Sequence, residues 1–159
     1  MRAVLALALL LAACGFQLRG PAELPFQTIY VPGATGGIAL NIKREIEAAS
    51  NAKVVDTPQQ AQALLQFTGE NQSSQILALD INGRVRELRL LYTVSFRVAD
   101  TKGGDYVPLT TLQISRDMTY NDADILAKQG EQSLLYREMQ SDMVQRVMLR
   151  LAAAKAPKS

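Results

Sequence analysis

Leu88, Leu90, Tyr92, Val94, Phe96 and Val98 alternate in strict period two with Glu87, Arg89, Thr93, Ser95 and Arg97, a pattern broken only by Leu91. Successive strand side chains point to opposite faces, so this segment has one apolar and one wet face. Parallel sheets are buried on both faces, whereas antiparallel sheets are commonly covered on one side only. The chain is therefore expected to carry an antiparallel sheet with a single covered face, and the segments around this strand extend it. Asn82-Gly83 just before it predicts a hairpin, with a type I′ turn needing positive φ at both residues. Ile76 to Ile81 is apolar except at Asp80, and Ala63, Leu65 and Phe67 alternate further upstream, across a polar stretch from Gly69 to Gln75. Gly103-Gly104 marks the following turn, after which Leu112, Ile114, Met118 and Tyr120 share one side of a further strand over 106–120.

Two helical segments supply the cover. Over 35–51, Ile38, Ile42, Ile46 and Ala49 recur at helical spacing, with Thr35 as the expected N-cap and Asn51 as the stop. Over about 122–154, Leu135, Met139, Met143, Val147 and Leu151 recur every four residues. Asn121 or Asp122 is the expected cap there, and Asp124 is expected in the first turn, where the helix dipole favours an anion. Phe26 to Val31, closed by Pro32-Gly33, reads as a first strand, and Lys53-Val54-Val55 as a short β-prone piece. The order β-α-β-β-β-α predicts an α+β two-layer sandwich, with two helices on one face of a mostly antiparallel sheet of about four strands.

The start of the chain has a different character. Met1-Arg2 is followed by an unbroken apolar run from Ala3 to Leu11, then Ala12, Ala13 and the only cysteine, Cys14. The run is too short for a membrane-spanning helix, which needs ~20 residues, and it has the order of a secretory signal. Leu11-Ala12-Ala13-Cys14 matches the bacterial lipobox, in which cleavage precedes the cysteine and its thiol takes up a diacylglyceryl group. Two or more acyl chains make a stable anchor where one does not. The expected organisation is a signal peptide at 1–13, a lipidated arm at 14–25, one α+β domain at 26–154 and a tail at 155–159.

Composition narrows the chemistry. The chain has no histidine and a single cysteine, which removes Ser-His-Asp and Cys-His triads, most transition-metal sites and any internal disulfide. A net charge of +2 gives no broad basic field for nucleic acid. Gly33 to Gly37 opens a helix and has the form of an anion cradle, but it lacks the Lys-Ser/Thr of a P-loop and reads more simply as a strand-to-helix turn. Asp122 and Asp124 read as helix-capping residues rather than an acid–base pair, and Asp80 as a solvated residue beside a turn. A hydrolase using carboxylates alone lacks a close pair in an apolar setting. Arg84, Arg86 and Arg89 cluster beyond the hairpin turn, and guanidinium suits bidentate contact with phosphate. Their plainer reading is a solvated strand end balanced by Glu87.

Cys14-Gly15-Phe16-Gln17-Leu18-Arg19 resembles the start of the mature lipopolysaccharide-assembly lipoproteins, the E component of the Lpt transport machine (LptE family). Arg116, Tyr120 and Asn121, then Ala127 to Gln132, then Glu138-Met139, are similar to that family's last strand end and the opening of its final helix. The resemblance implies a non-enzymatic outer-membrane lipoprotein without a cofactor beyond the lipid on Cys14. It would plug and help assemble a large β-barrel partner, the lipopolysaccharide-translocating D component, and assist delivery of lipopolysaccharide to the outer leaflet. Lys128 matches a position implicated in lipopolysaccharide binding. The family's second basic position, before Asn-Gly, is Ile81 here, with Arg84 and Arg86 as replacements across the turn. The competing expectation is a periplasm-facing lipoprotein that binds lipid or envelope polymer with no barrel partner.

Overall fold

The computed structural model describes residues 22–121 and 124–157. The signal peptide, Cys14, most of the arm and Asp122 lie outside the described residues. Five strands and two helices follow in the order β1 (Thr28–Tyr30), α1 (Gly37–Ala49), β2 (Lys53–Val54), β3 (Ala63–Leu79), β4 (Val85–Asp100), β5 (Asp105–Thr119) and α2 (Ile125–Ala152). The sheet order is β2-β1-β3-β4-β5. The three long strands are antiparallel neighbours, whereas short β1 runs parallel to both β2 and β3. The expected α+β sandwich is the observed one, with the Lys53 segment adding a short fifth strand at the edge.

Period two in β4 does what the sequence implies. Leu90, Tyr92, Val94, Phe96 and Val98 are all fully buried, under Ile38, Ile42 and Ile46 of α1 and Met139, Met143, Val147 and Leu151 of α2. Burying such a side chain contributes ~1.5–3 kcal/mol each, so this interleaved layer is the main stabilising element of the fold. The opposite face of the sheet carries cross-strand polar pairs: Arg89 with Asp117 at 2.8 Å, Arg97 with Asp105 at 2.7 Å, and Ser95 with Thr111 at 2.8 Å. Arg89–Asp117 and Ser95–Thr111 lie directly across from one another and Arg97–Asp105 diagonally beside a register shift, positions from which side chains support the strand pairing.

Four local features depart from expectation. The polar stretch from Gly69 to Gln75 is not a break: β3 pairs with β4 along its whole length, with an irregularity between Phe67 and Gly69. Most of residues 70–79 are exposed, so no apolar alternation marks them. The hairpin at Asn82-Gly83 forms, but only Gly83 has positive φ (75°), so the turn is not type I′. Gly83 N–H donates to the Asp80 carbonyl at 3.0 Å and Asp80 N–H to the Arg84 carbonyl at 2.8 Å. These bonds close a three-residue loop with its left-handed residue at Gly83. α1 starts at Gly37 after an N-cap at Gly36, not at Thr35. α2 starts at Ile125, with Asp124 as an N-cap that makes no side-chain capping bond.

The final residues of the expected arm are docked. Ala22 N–H donates to the Ala49 carbonyl, and Leu24 N–H donates to Asn51 Oδ1 at 2.8 Å. Leu24 itself is buried in the core. α1 ends at Ala49 with Ser50 as its C-cap, one residue before the expected stop at Asn51, and Asn51 instead fixes where the chain enters the domain.

Candidate functional site

The end of the sheet that holds the Asn82-Gly83 loop lies farthest from this point. Ala22 docks on the end of α1, and the chain then enters the sheet at β1, whose Ile29 pairs with Ala63 at the start of β3; the 17 residues of β3 run from there to the loop, about 50 Å at ~3.3 Å per residue. Arg84, Arg86 and Lys128 all belong to the loop end.

Asp80 organises it. One carboxylate oxygen, Oδ1, accepts the N–H groups of Asn82 (2.8 Å) and Arg84 (2.9 Å). The other, Oδ2, faces Arg86 Nε at 3.7 Å. The bond from Arg84 N–H, with those from Asn82 and the charges of Arg86 and Arg84, holds the Asp80 carboxyl below its ordinary range against a smaller opposing effect of burial. Asp80 is thus the acceptor that shapes the loop, beyond its expected role as a solvated residue. The next hairpin repeats the device: Lys102 N–H donates to Asp100 Oδ1, and Gly103 N–H to the Asp100 carbonyl. Asp-Ile-Asn-Gly and Asp-Thr-Lys-Gly share an Asp-x-x-Gly signature. That repeat was the readable signal for Asp80.

Arg86 and Lys128 are brought to one corner. Tyr120 N–H donates to the Arg86 carbonyl at 2.8 Å, and Glu87 pairs with Thr119. Lys128 Nζ reaches the Thr119 hydroxyl at 3.2 Å and Glu131 at 2.8 Å, leaving its side chain 18% exposed. The Lys128 charge is therefore already partnered within α2. Arg84 forms no ion pair among the described residues and is exposed. On the β3 side the register shifts between Ala78 and Leu79 and leaves Arg86 without a partner on that strand.

The other sequence candidates resolve differently. The helix N-terminus after Gly33–Gly37 is occupied from within, since Ile38 N–H donates to Glu70 Oε2 at 3.3 Å. Glu70 Oε1 also accepts the Tyr92 hydroxyl at 2.6 Å. Burial, and then the bond to Glu70, raise the Tyr92 hydroxyl well above its ordinary range. Glu70 thus ties α1 to β4, and nothing local in the polar stretch signals it. Asp124 accepts from the Asn121 side chain at 3.3 Å and is exposed. Arg89, third of the basic cluster, is committed to Asp117 by two bonds of 2.8 Å.

Asp80 and Asp117 carry a pH prediction. Asp117 is lowered chiefly by the Arg89 hydrogen bond. Both carboxyls have native pKa values below the unfolded value of 3.8, so their stabilising contribution is present above it and lost as pH falls through the native values. Carboxyl-detected NMR titration should place both midpoints below 3.8. In Asp80→Asn, the amides of Asn82 and Arg84 should lose their low-pH shift transition.

Two helices laid on one face of a five-stranded sheet whose three long strands are antiparallel define an α+β sandwich seen in bacterial lipoproteins. Among solved structures it is similar to an uncharacterized lipoprotein B of Nitrosomonas europaea, 35% identical with a TM-score of 0.71 over 84% of this chain and 88% of that one, and to the rare lipoprotein B of Shewanella oneidensis, 24% identical with a TM-score of 0.67 over 82% and 94%. The LptE family model, described as lipopolysaccharide-assembly, matches residues 26–151, and the chain belongs to that family. Among relatives, the LPS-assembly lipoprotein LptE of Yersinia pestis (strain Pestoides F) is 27% identical over 152 residues, covering 93% of this chain and 72% of the relative.

Proposed function

We propose that this protein is an outer-membrane lipoprotein, anchored through acyl chains on Cys14, that serves lipopolysaccharide assembly by binding rather than by catalysis. It plugs and helps assemble a large β-barrel translocon, the D component, and contacts lipopolysaccharide through Arg84, Arg86 and Lys128. It needs no cofactor besides its covalent lipid. Family membership supports the assembly role. The observation that carries the finer reading is the placement of the three basic residues at the end of the sheet opposite the chain's point of attachment.

Dimensions support the plug. Cys14 to Ala22 is eight residues, a reach of at most ~29 Å. The β3–β4 hairpin adds about 50 Å beyond it, more than the ~30 Å hydrocarbon core of a bilayer. A domain tethered at one leaflet thus has the length to present its loop at the other, provided a barrel shields its polar surface. The open sheet face pairs its own charges (Arg89–Asp117, Arg97–Asp105), which suits a polar lumen. In the described residues no helix is long and apolar enough to cross a membrane.

Two experiments test the proposal. Extraction of the tagged protein from its native envelope in mild detergent should recover a stoichiometric large β-barrel that survives high salt. A lone lipoprotein would remove the plug and favour a binder of lipid or envelope polymer. Replacing Arg84, Arg86 and Lys128 together with Glu should weaken lipopolysaccharide binding at least tenfold in a matched-salt titration, as expected when charge-assisted contacts become repulsive. Unchanged affinity would remove the basic site.

A further inference from the structure

The last turns of α2 leave a groove against the outer edge of the sheet. Leu112 of the edge strand β5 lines it with Arg146, Leu149, Arg150 and Ala153, around a volume of about 480 Å³. Leu149 is 50% exposed, and Leu109, three residues before Leu112 on the same strand, is 65% exposed. The β4–β5 register shift between Phe96 and Val98 leaves Pro108 and Leu109 without partners on β4, so sheet pairing does not require a leucine there. Arg146 and Arg150 form no ion pair among the described residues. Asp142, the last acid in the sequence, is bound to Arg116 at 2.6 Å. Lys102 in the β4–β5 turn and Lys155 beyond α2 are exposed and equally without ion pairs among the described residues. The carboxylates of that turn are engaged, Asp100 by Lys102 N–H and Asp105 by Arg97. On the open face of the sheet, by contrast, Arg89 and Arg97 are each closed by a carboxylate.

This surface lies at the end of the domain where the chain enters. Asp100 pairs with Ala63 and Thr101 N–H donates to the Gln62 carbonyl, so the β4–β5 turn sits beside the start of β3. Pro157 stands against Gly104 of that turn, where an added Cβ would be 3.0 Å away, which brings the end of α2 to the same place. Ala22 bridges Ser50 just before β2, at the other edge of the sheet. Four strand spacings separate β2 from β5, about 19 Å at ~4.8 Å each. The eight residues from Cys14 to Ala22 span up to ~29 Å, so a lipid on Cys14 can lie beneath the groove. We propose that this surface docks the domain on an anionic phospholipid bilayer, with Leu109 and Leu149 entering the headgroup layer and Arg146, Arg150, Lys102 and Lys155 meeting lipid phosphates. The bilayer is the one that holds the anchor, so the proposal rests on lipidation of Cys14. Other occupants fit the charges less well. The arm folded back into the groove would set Arg19 against Arg146 and Arg150, and a second copy would set those arginines against their own kind. Each Lys or Arg near an anionic surface favours binding about fivefold. A short tether keeps the surface at high effective concentration, so a weak contact suffices. Docking at this end leaves the Asn82-Gly83 loop, at the far end of β3, free.

The test is co-sedimentation of the mature chain carrying Cys14→Ser with lipid vesicles at low ionic strength. Vesicles of equimolar phosphatidylglycerol and phosphatidylcholine should bind it roughly tenfold or more tightly than phosphatidylcholine alone, and added salt should reduce the difference. Arg146→Gln with Arg150→Gln should remove most of that preference. Leu109→Ser with Leu149→Ser should weaken binding several-fold while keeping the preference for the anionic vesicles. All four side chains reach the surface, so circular dichroism should show the fold unchanged. Arg44→Gln with Arg137→Gln makes the same change of charge at exposed positions elsewhere on the helices and should have little effect. An equal loss in that control would mean binding by net charge alone and would overturn the docking surface. Absence of vesicle binding by the parent chain would overturn it too, as would a dimer in solution that Leu149→Asp dissociates, which would make the groove a self-interface. The anchor is read separately, from the mass of the N-terminal peptide of the protein taken from its native envelope. Vesicle binding with an unmodified Cys14 would overturn the tethered arrangement alone, and a lipidated Cys14 without vesicle binding would overturn the docking surface alone.

Discussion

Replacing Gly37 with valine is expected to destabilise the domain by about 2–4 kcal/mol, through a left-handed backbone that a β-branched residue resists and through hydrogen bonds lost at Glu70. Gly37 has φ +59°, and a Cβ there would stand 2.7 Å from Glu70 Oε2. The clash itself is relieved when the flexible Glu70 side chain swings away. The lasting cost is the loss of what that side chain does: it accepts Ile38 N–H at the start of α1 and the hydroxyl of buried Tyr92. Leaving a buried donor without its acceptor costs ~1–3 kcal/mol. A double-mutant cycle in urea separates the contributions. Gly37→Val and Glu70→Ala should be non-additive by ~1 kcal/mol or more if the penalty runs through Glu70, because both remove the same bonds. Additive effects would assign the whole cost to the backbone.

The parts of the structure legible in sequence are those with one wet face. Leu88 to Val98 declared its buried side because each apolar residue has a polar neighbour facing water. Met139, Met143, Val147 and Leu151 declared theirs at helical spacing, and all four are fully buried. Legibility failed where both faces are wet or a contact is remote. The outer half of β3 has no covered face, so Gly69 to Gln75 resembles a loop although it is paired throughout. Glu70 caps a helix 32 residues earlier in the chain, a relation that no local pattern encodes. At the loop, Asn82-Gly83 located the hairpin, but the side chain of Asp80 selected its length. The basic residues were visible as residue types. That Lys128 is held by Glu131 depended on how α2 begins.

Placing aspartate at Met143 is expected to abolish cooperative folding at pH 7. Met143 lies in the middle of the α2 stripe with no exposed surface, in the layer shared with Tyr92 and Phe96 of β4. No buried charged side chain is present among the described residues to pair with a charge there, and the Tyr92 hydroxyl is committed to Glu70. An unpaired carboxylate in such a setting costs several kcal/mol, a large share of the ~5–15 kcal/mol that stabilises a typical domain. The group can escape by staying neutral, which raises its folded pKa above the unfolded value of ~3.9. A raised carboxyl pKa means that the native state binds the proton more tightly, so stability is recovered as pH falls and lost as it rises. Thermal unfolding followed by circular dichroism should therefore show no cooperative transition at pH 7 and a partial one near pH 4. Ser141→Asp, two residues away on the exposed side of the same helix, should change stability by no more than ~0.5 kcal/mol. Similar behaviour of the two variants would mean that α2 does not pack on the sheet through its Met139–Leu151 stripe. The covered face inferred from the alternation in β4 would then have a different cover.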